Sequence, residues 1–263
     1  MLALISGRGA LPERVAAAQD TAPLVCVLDG FAPDGLAPDI TFRLEHLGTL
    51  LSMLKDRDVT DVCFCGAIER PPFDPSALDA ATMPLVPMMM QAMGAGDDSA
   101  LRAVMSLFEE QGFAVRAAHE LAPDILAPEG VLAGAAPEGQ ALTDIARADA
   151  VLAALAPLDV GQGCVVGAGQ VWGIETIGGT DHMLRTLPER VRGASALLVK
   201  TPKAGQDLRA DVPTIGPETI EAVASAGLAG LVVDAGHVIL LEPDETVRRA
   251  EAAGLLLWSR GPR

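Results

Sequence analysis

Short apolar runs alternate with amphipathic stretches through the first half of the chain. In order, strand-sized runs and stretches with helical spacing lie at residues 2–6, 13–19, 24–28, 44–55, 59–65, 98–111 and 113–117. Strands separated by helices form βαβ units, in which helices cover both faces of a parallel sheet. The pattern predicts an α/β fold with a Rossmann-like amino-terminal domain over residues 1–130.

A stretch rich in proline, glycine and alanine, Pro123 to Gly139, interrupts this pattern. Such a composition is typical of a linker, which we assign to residues 131–141. Strand and helix patterns then resume at residues 142–155, 163–166, 170–177, 182–187, 196–199, 219–226, 231–234, 238–241, 244–253 and 255–258. Residues 142–263 are therefore predicted to form a second α/β domain.

Composition narrows the class of protein. Half of the 263 residues are hydrophobic, which excludes a disordered chain, and no apolar run approaches the roughly 20 residues of a membrane-spanning helix. The formal net charge of −16 argues against a nucleic-acid partner. Residues 1–7 lack the basic region of a signal peptide, and the four cysteines lie in apolar runs without CxxC spacing. We expect a cytoplasmic protein with free thiols.

The segment Val199 to Pro217 concentrates positive charge in this acidic chain, because two of its three lysines lie there. Its charged residues are Lys200, Lys203, Asp207, Arg209 and Asp211. Lysine and arginine bind phosphate oxygens, and carboxylates bind a divalent ion that bridges phosphate and water. The segment therefore indicates phosphoryl chemistry; the alternative is a solvated surface loop.

The turn after the first predicted strand resembles a nucleotide loop. It reads Gly7, Arg8, Gly9, Ala10, Leu11 and Pro12, and Asp29 closes the second strand at the usual distance for an acid that binds a ribose hydroxyl. Pro12 replaces the third glycine of the dinucleotide fingerprint. The turn is therefore either an ordinary strand-to-helix connection or a nucleotide loop used in another way.

Three further features each allow a structural and a functional interpretation. The methionines of Met88–Met93 could line an adaptable groove for acyl chains or fill a helix core. Asp98 could cap the next helix or bind a metal, and Thr180 or Asp181 could cap the helix at 182–187 or take part in the site.

Five segments together resemble the UDP-2,3-diacylglucosamine pyrophosphatases of the LpxI family. They are Gly-Arg-Gly-Ala-Leu-Pro at 7–12, Gly-Asp-Asp-Ser-Ala-Leu at 96–101, Asp-Val-Gly-Gln-Gly at 159–163, Gly-Thr-Asp at 179–181 and Gln-Asp-Leu-Arg-Ala-Asp-Val-Pro-Thr-Ile-Gly at 206–216. The chain departs from the family at Arg8, which interrupts a common run of three glycines.

The resemblance implies hydrolysis of UDP-2,3-diacylglucosamine to UMP and 2,3-diacylglucosamine 1-phosphate (lipid X) in lipid A biosynthesis, with Mg²⁺ or Mn²⁺. It also implies two α/β domains. Because the sequence has neither a membrane-spanning run nor a basic patch, we expect contact with the inner membrane to be peripheral and driven by the substrate. Asp211 is the aspartate on which the family depends. We expect it to bind the metal or to orient the attacking water, with Asp207 and Asp98 completing the site. Lys200, Lys203 and Arg209 would screen the pyrophosphate.

The expected substrate-binding residues are Gly7, Gly9, Ala10, Leu11, Pro12, Asp29, Thr180, Asp181, Gln206 and Thr214. The alternative functions are a non-catalytic lipid- or nucleotide-sugar-binding protein, a Rossmann-type sugar-nucleotide oxidoreductase, and a pyrophosphatase of water-soluble nucleotide sugars.

Overall fold

A computed structural model describes residues 1–68, 73–93, 97–203, 205–209 and 212–261, without the side chains of residues 91–93 and 97–99. The chain divides into two compact units. The first unit comprises Met1–Pro123 together with Asp207–Asp211, and the second comprises Asp124–Gln206 and Val212–Arg263.

The first unit contains a parallel sheet with the strand order β3-β2-β1-β4-β5. Its elements are β1 (Leu2–Ser6), α1 (Leu11–Ala17), β2 (Leu24–Leu28), β3 (Ile40–Phe42), α2 (Leu47–Lys55), β4 (Asp61–Cys65), α3 (Val86–Met93), α4 (Asp97–Glu110), β5 (Ala114–Val115) and α5 (Ala118–Leu121). Because β1 is flanked by parallel strands and buried on both faces, its sequence is a continuous apolar run. The strand order reverses between β1 and β4. Open α/β sheets bind ligands at such a switch point, outside the carboxyl ends of the strands.

The second unit contains a six-stranded sheet with the order β6-β13-β11-β9-β7-β8 and a small parallel pair, β10 and β12. Its elements are β6 (Gly130–Ala133), α6 (Gln140–Leu155), β7 (Gly163–Gly167), β8 (Gln170–Ile174), α7 (Gly179–Arg185), β9 (Leu197–Lys200), β10 (Thr214–Ile215), α8 (Pro217–Ser225), β11 (Gly230–Asp234), β12 (Ile239–Leu240), α9 (Pro243–Ala252) and β13 (Leu256–Arg260). The three central strands are parallel, whereas β6, β7 and β8 pair antiparallel at the edges.

Each face of the six-stranded sheet carries its own core. Val165 and Leu198 point into the core that includes Met183 of α7. Their strand neighbours Cys164 and Val199 point to the opposite face, which packs on α6. This alternation assigns each residue near the end of a strand to one face.

The predicted α/β fold with a parallel first sheet is confirmed. The structure differs from the predicted linker, because Gly130–Ala133 forms the edge strand β6 against β13. A four-residue edge strand between glycine-rich turns carries too short a pattern to identify from sequence. The predicted strands at 231–234 and 238–241 are present as β11 and β12, and they belong to different sheets.

The methionine-rich stretch is largely packed in α3 as far as its side chains are described. Met89 is buried in the core of the first unit and Met88 packs against that core, whereas Met90 is exposed. The helix core interpretation therefore holds for Met89. No helix in the described ranges is both long and apolar enough to cross a membrane.

Candidate active site

Three residues form a row at one edge of the six-stranded sheet. Lys200 ends β9 and lies opposite Gly163, the first residue of the antiparallel strand β7. Glu175 follows β8, and its backbone N–H donates to the carbonyl oxygen of Gly163 at 2.8 Å. The end of β9 therefore lies beside the start of β7 and the exit of β8.

Lys200 is a buried cation in this row, with 8% of its surface exposed. Its Nζ atom donates to the carbonyl oxygen of Thr214 at 3.1 Å. Because an ammonium group has three N–H donors, this bond leaves donors for an anionic ligand. The geometry suits a lysine that binds a phosphate oxygen.

Lys203 lies in the segment that follows β9 and pairs with Asp159. Its Nζ atom is 2.5 Å from Oδ1 of Asp159, and the two side chains are 12% and 23% exposed. The backbone N–H of Lys203 donates to Oε1 of Gln206 at 2.8 Å, and Gln206 contacts Gln162 through Nε2. A phosphate that binds Lys203 would therefore compete with Asp159 for the ammonium group.

Two carboxylate oxygens near this edge are buried and have no hydrogen-bond partner among the described residues. They are Oδ2 of Asp159 and Oε2 of Glu175. A buried acceptor without a donor costs about 1 to 3 kcal/mol, and more when it is charged. Such atoms in a polar cluster are candidates for contact with a ligand.

The segment 207–209 belongs to the first unit and is held by an arginine. Nε and Nη2 of Arg209 donate to Oδ1 and Oδ2 of Asp207 at 3.0 and 2.7 Å, and Nη1 donates to Oε1 of Glu109 in α4 at 2.5 Å. The hydrogen bonds from Arg209 lower the pKa of Asp207, and the charge of Arg102 adds to this effect. Asp207 is therefore an ionised carboxylate that Arg209 neutralises.

The described residues do not assemble a divalent-cation site on their own. Both oxygens of Asp207 accept hydrogen bonds from Arg209. The described part of the chain holds no group of three or more His, Cys, Asp or Glu residues that could bind a metal. Asp211 and the side chain of Asp98 lie outside the described residues, so the metal role of these aspartates stays a prediction.

The glycine turn of the first unit packs closely against the end of β4. A Cβ atom at Gly7 would collide with the carbonyl oxygen of Ala67, so no larger residue fits without movement. Arg8 and Ala67 exchange backbone hydrogen bonds of 2.9 Å. The guanidinium group of Arg8 donates to the carbonyl oxygen of Gly30 at 2.9 Å and lies 4.8 Å from the ring centre of Phe31.

The remaining residues of the predicted turn differ in exposure. Pro12 is buried in α1, whereas Gly9 has φ of 91° with open space around its Cα atom. Asp29 is exposed directly after β2. Binding of the substrate by Gly7, Gly9, Ala10, Leu11, Pro12 and Asp29 stays a prediction.

Thr180 and Asp181 lie in the first turn of α7. The N-cap residue of this helix is Gly178, without a side-chain hydrogen bond, so the capping interpretation of both residues is wrong. Thr180 is buried and Asp181 is exposed. Their role in binding stays a prediction.

Sequence reasoning missed three residues as members of the site, Asp159, Gln162 and Glu175. The first two lie in the motif at 159–163, where glycines on either side of Gln162 were a usable signal. Glu175 had no such signal, because its position depends on strand register. Glu109 was also missed, since its partner Arg209 is 100 positions away in sequence.

The chain matches family models over most of its length. The model of the LpxI N-terminal domain matches residues 1–125, and the model of the LpxI C-terminal domain matches residues 128–258. A relative from Caulobacter vibrioides, named UDP-2,3-diacylglucosamine pyrophosphatase LpxI, is 36% identical over 274 residues, which cover 100% of this chain and 98% of the relative.

Proposed function

The chain belongs to the LpxI family, and from this premise we propose that it hydrolyses UDP-2,3-diacylglucosamine to UMP and 2,3-diacylglucosamine 1-phosphate in lipid A biosynthesis. The observation that carries the proposal is the identity of 36% along the whole chain to a relative named for this activity. Water adds to one phosphorus of the pyrophosphate, and the bond from that phosphorus to the bridging oxygen breaks.

The row at the end of β9 supports a role in phosphate binding. Lys200 is buried with donors left for an anion, and Lys203 lies three residues further on, beside Asp159. A pyrophosphate carries concentrated negative charge, which repels a nucleophile until cations screen it. We assign this screening to Lys200 and Lys203, with Arg209 as a third cation.

Asp211 is the proposed acceptor that orients the attacking water. It lies within the motif at 206–216, two positions after Arg209. The side chain of Arg209 is itself paired with Asp207 and Glu109. We also propose a requirement for Mg²⁺ or Mn²⁺, which would withdraw charge from the phosphate oxygens when bound. The cytoplasmic location and peripheral membrane contact are likewise proposals.

The test is release of UMP from UDP-2,3-diacylglucosamine by the purified protein, with Mg²⁺, with Mn²⁺ and with chelator. Asp211→Asn should lower kcat by about 100-fold or more, because the neutral amide cannot accept the proton of water. Asp56→Asn, an exposed aspartate after α2, is the matched control and should keep wild-type turnover. Turnover by Asp211→Asn at the wild-type rate would remove Asp211 from the mechanism.

This assay and two further measurements on the same purified protein, NAD(P) absorbance and turnover of substrates without acyl chains, separate the alternative functions. A binding protein would give no UMP under any metal, and an oxidoreductase would change the absorbance of NAD(P). A pyrophosphatase of water-soluble nucleotide sugars would hydrolyse substrates without acyl chains equally well. Each of these results would overturn the proposal in favour of the class that it names.

A further inference from the structure

Glu175 is a buried carboxylate that the proposed chemistry does not yet use. Only 8% of its surface is exposed, and its Oε2 atom has no hydrogen-bond partner among the described residues. A carboxylate that served only the fold would be expected to accept hydrogen bonds from nearby donors. The Oε2 atom of Glu175 is therefore suited to accept a hydrogen bond from an N–H or O–H group of a bound ligand.

The strand register places Glu175 and Lys200 on the same face of the sheet. Lys200 follows Leu198 by two positions and Gly163 precedes Val165 by two, so both share the face on which Leu198 and Val165 pack. The backbone N–H of Glu175 donates to the carbonyl oxygen of Gly163. Glu175 also follows Gly173 by two positions, and a Cβ atom at Gly173 would contact Met183, which packs on that same face.

Gly163 places no side chain between Glu175 and Lys200. Glu175 and Lys200 are two strand spacings apart, roughly 10 Å between Cα atoms, with only Gly163 between them. The carboxylate extends over this glycine, since a Cβ atom at Gly163 would lie 2.5 Å from Oε2 of Glu175. The row therefore places the Glu175 carboxylate, an acceptor, and the Lys200 ammonium group, a cation, on either side of a glycine.

We propose that Glu175 is a substrate-binding residue whose Oε2 atom accepts a hydrogen bond from an N–H or O–H group of the acylated glucosamine unit, beside the phosphate that Lys200 binds. The inference rests on the proposed function. In 2,3-diacylglucosamine 1-phosphate the amide N–H is on the carbon next to the one that bears the phosphate. A carboxylate can only accept hydrogen bonds, so it selects this donor over another phosphate oxygen.

The first test compares Glu175→Gln with wild type in the UMP-release assay and in calorimetric titrations with 2,3-diacylglucosamine 1-phosphate and with UMP. The variant should raise KM and weaken binding of the sugar phosphate by about 10-fold, because the neutral amide oxygen is a weaker acceptor than the charged carboxylate. Binding of UMP should stay within about twofold of wild type. Glu189→Gln, an exposed glutamate in the same unit, is the matched control and should change neither affinity.

A second variant moves the carboxylate without removing it. In Gly163→Ala the new methyl group collides with Oε2 of Glu175, while its other near neighbours are 3.4 and 3.5 Å away. The variant should therefore fold, with a Tm near that of wild type, and reproduce the loss of sugar-phosphate binding. If Glu175→Gln does not fold, Gly163→Ala carries the test alone.

The outcomes separate this inference from the proposed function. A wild type that releases no UMP overturns both. If the wild type is active and either variant binds the sugar phosphate like Glu189→Gln, only the role of Glu175 is overturned. The role of Glu175 is also overturned if Glu175→Gln weakens the binding of UMP as much as that of the sugar phosphate. A variant that loses binding of Mn²⁺ while its sugar-phosphate affinity is unchanged would overturn it as well.

Discussion

At the scale of single residues, Arg260 shows how the second unit holds a buried charge. Its side chain is 7% exposed at the end of β13. It donates from Nε to Asp234 at 2.7 Å and from Nη1 and Nη2 to Asp149 at 2.8 and 2.7 Å. Burial by itself lowers the pKa of the guanidinium group, but the hydrogen bonds to the two carboxylates raise it overall. The arginine thus connects β13 and β11 to α6.

Replacement of this arginine should destabilise the second unit strongly. We expect Arg260→Met to lower the free energy of unfolding by about 3 kcal/mol, because it removes three charge-assisted hydrogen bonds in a buried setting. Urea unfolding followed by tryptophan fluorescence measures this, since both tryptophans, Trp172 and Trp258, belong to the second unit.

The control for this substitution is Arg248→Met. The side chain of Arg248 is 66% exposed and pairs with Glu245 on the same helix. Removal of such a surface pair should cost less than about 1 kcal/mol. Equal losses for the two variants would contradict a special role of the buried arginine.

At the scale of elements, Glu45 connects two segments of the first unit. Its carboxylate accepts hydrogen bonds from Arg43, just after β3, at 3.1 and 3.2 Å and from the backbone N–H of Asp74 at 2.7 Å. Burial by itself raises the pKa of Glu45, but the hydrogen bonds from Arg43 and Asp74 outweigh this effect and lower the pKa to about 2. The segment before α2 is thereby joined to the segment around Asp74.

The depressed pKa of Glu45 predicts a loss of stability in acid. Because the pKa in the folded state is below its value of 4.5 in the unfolded state, the contribution is fully present above about pH 5 and disappears as the pH falls towards 2. The free energy of unfolding should therefore be about 2 to 3 kcal/mol lower for Glu45→Gln than for wild type at pH 7. This difference should shrink progressively below pH 4.5.

Urea unfolding at several pH values, followed by far-ultraviolet circular dichroism, measures this difference. Glu110→Gln, an exposed glutamate at the end of α4, is the control and should show little difference from wild type at any pH. A difference between wild type and Glu45→Gln that stays constant from pH 7 to pH 3 would show that the carboxylate charge is not the cause.

At the scale of the whole molecule, the chain combines separate cores with a strong excess of acidic groups. The core of the first unit includes Phe64 and Phe108, whose rings meet edge to face at 5.2 Å. The second unit has a core on each face of its sheet. The formal net charge of −16 is spread over 263 residues, so like charges repel in the folded state.

This repulsion predicts a stability that rises with salt. At pH 7, an increase in sodium chloride from 20 to 200 mM shortens the Debye length from about 20 to about 7 Å and should raise Tm by a few degrees. At pH 5, close to the pI of about 4.5, the net charge is small and the salt effect should be much weaker. The measurement is a calorimetric scan at each salt concentration. A Tm at pH 7 that falls with salt would mean that screening weakens attractive ion pairs more than it weakens the repulsion between like charges.

The sequence by itself determined the fold class and much of the element order. The runs that became β1, β2, β4, β9 and β11 could be recognised because strands buried on both faces need continuous apolar side chains. The segments β3, β6 and β10 have two to four residues each, which is too short for either periodicity to be visible. The charged segment after β9 could be identified by composition alone, because it holds two of three lysines.

Only the tertiary structure decided which polar atoms meet. Strand pairing places Glu175 beside Gly163 and Gly163 beside Lys200, although these residues are separated along the chain. Folding likewise brings Arg209 to Glu109. Side-chain type and spacing describe what a residue can bind, but the register of non-adjacent strands and the packing of distant segments determine its partners.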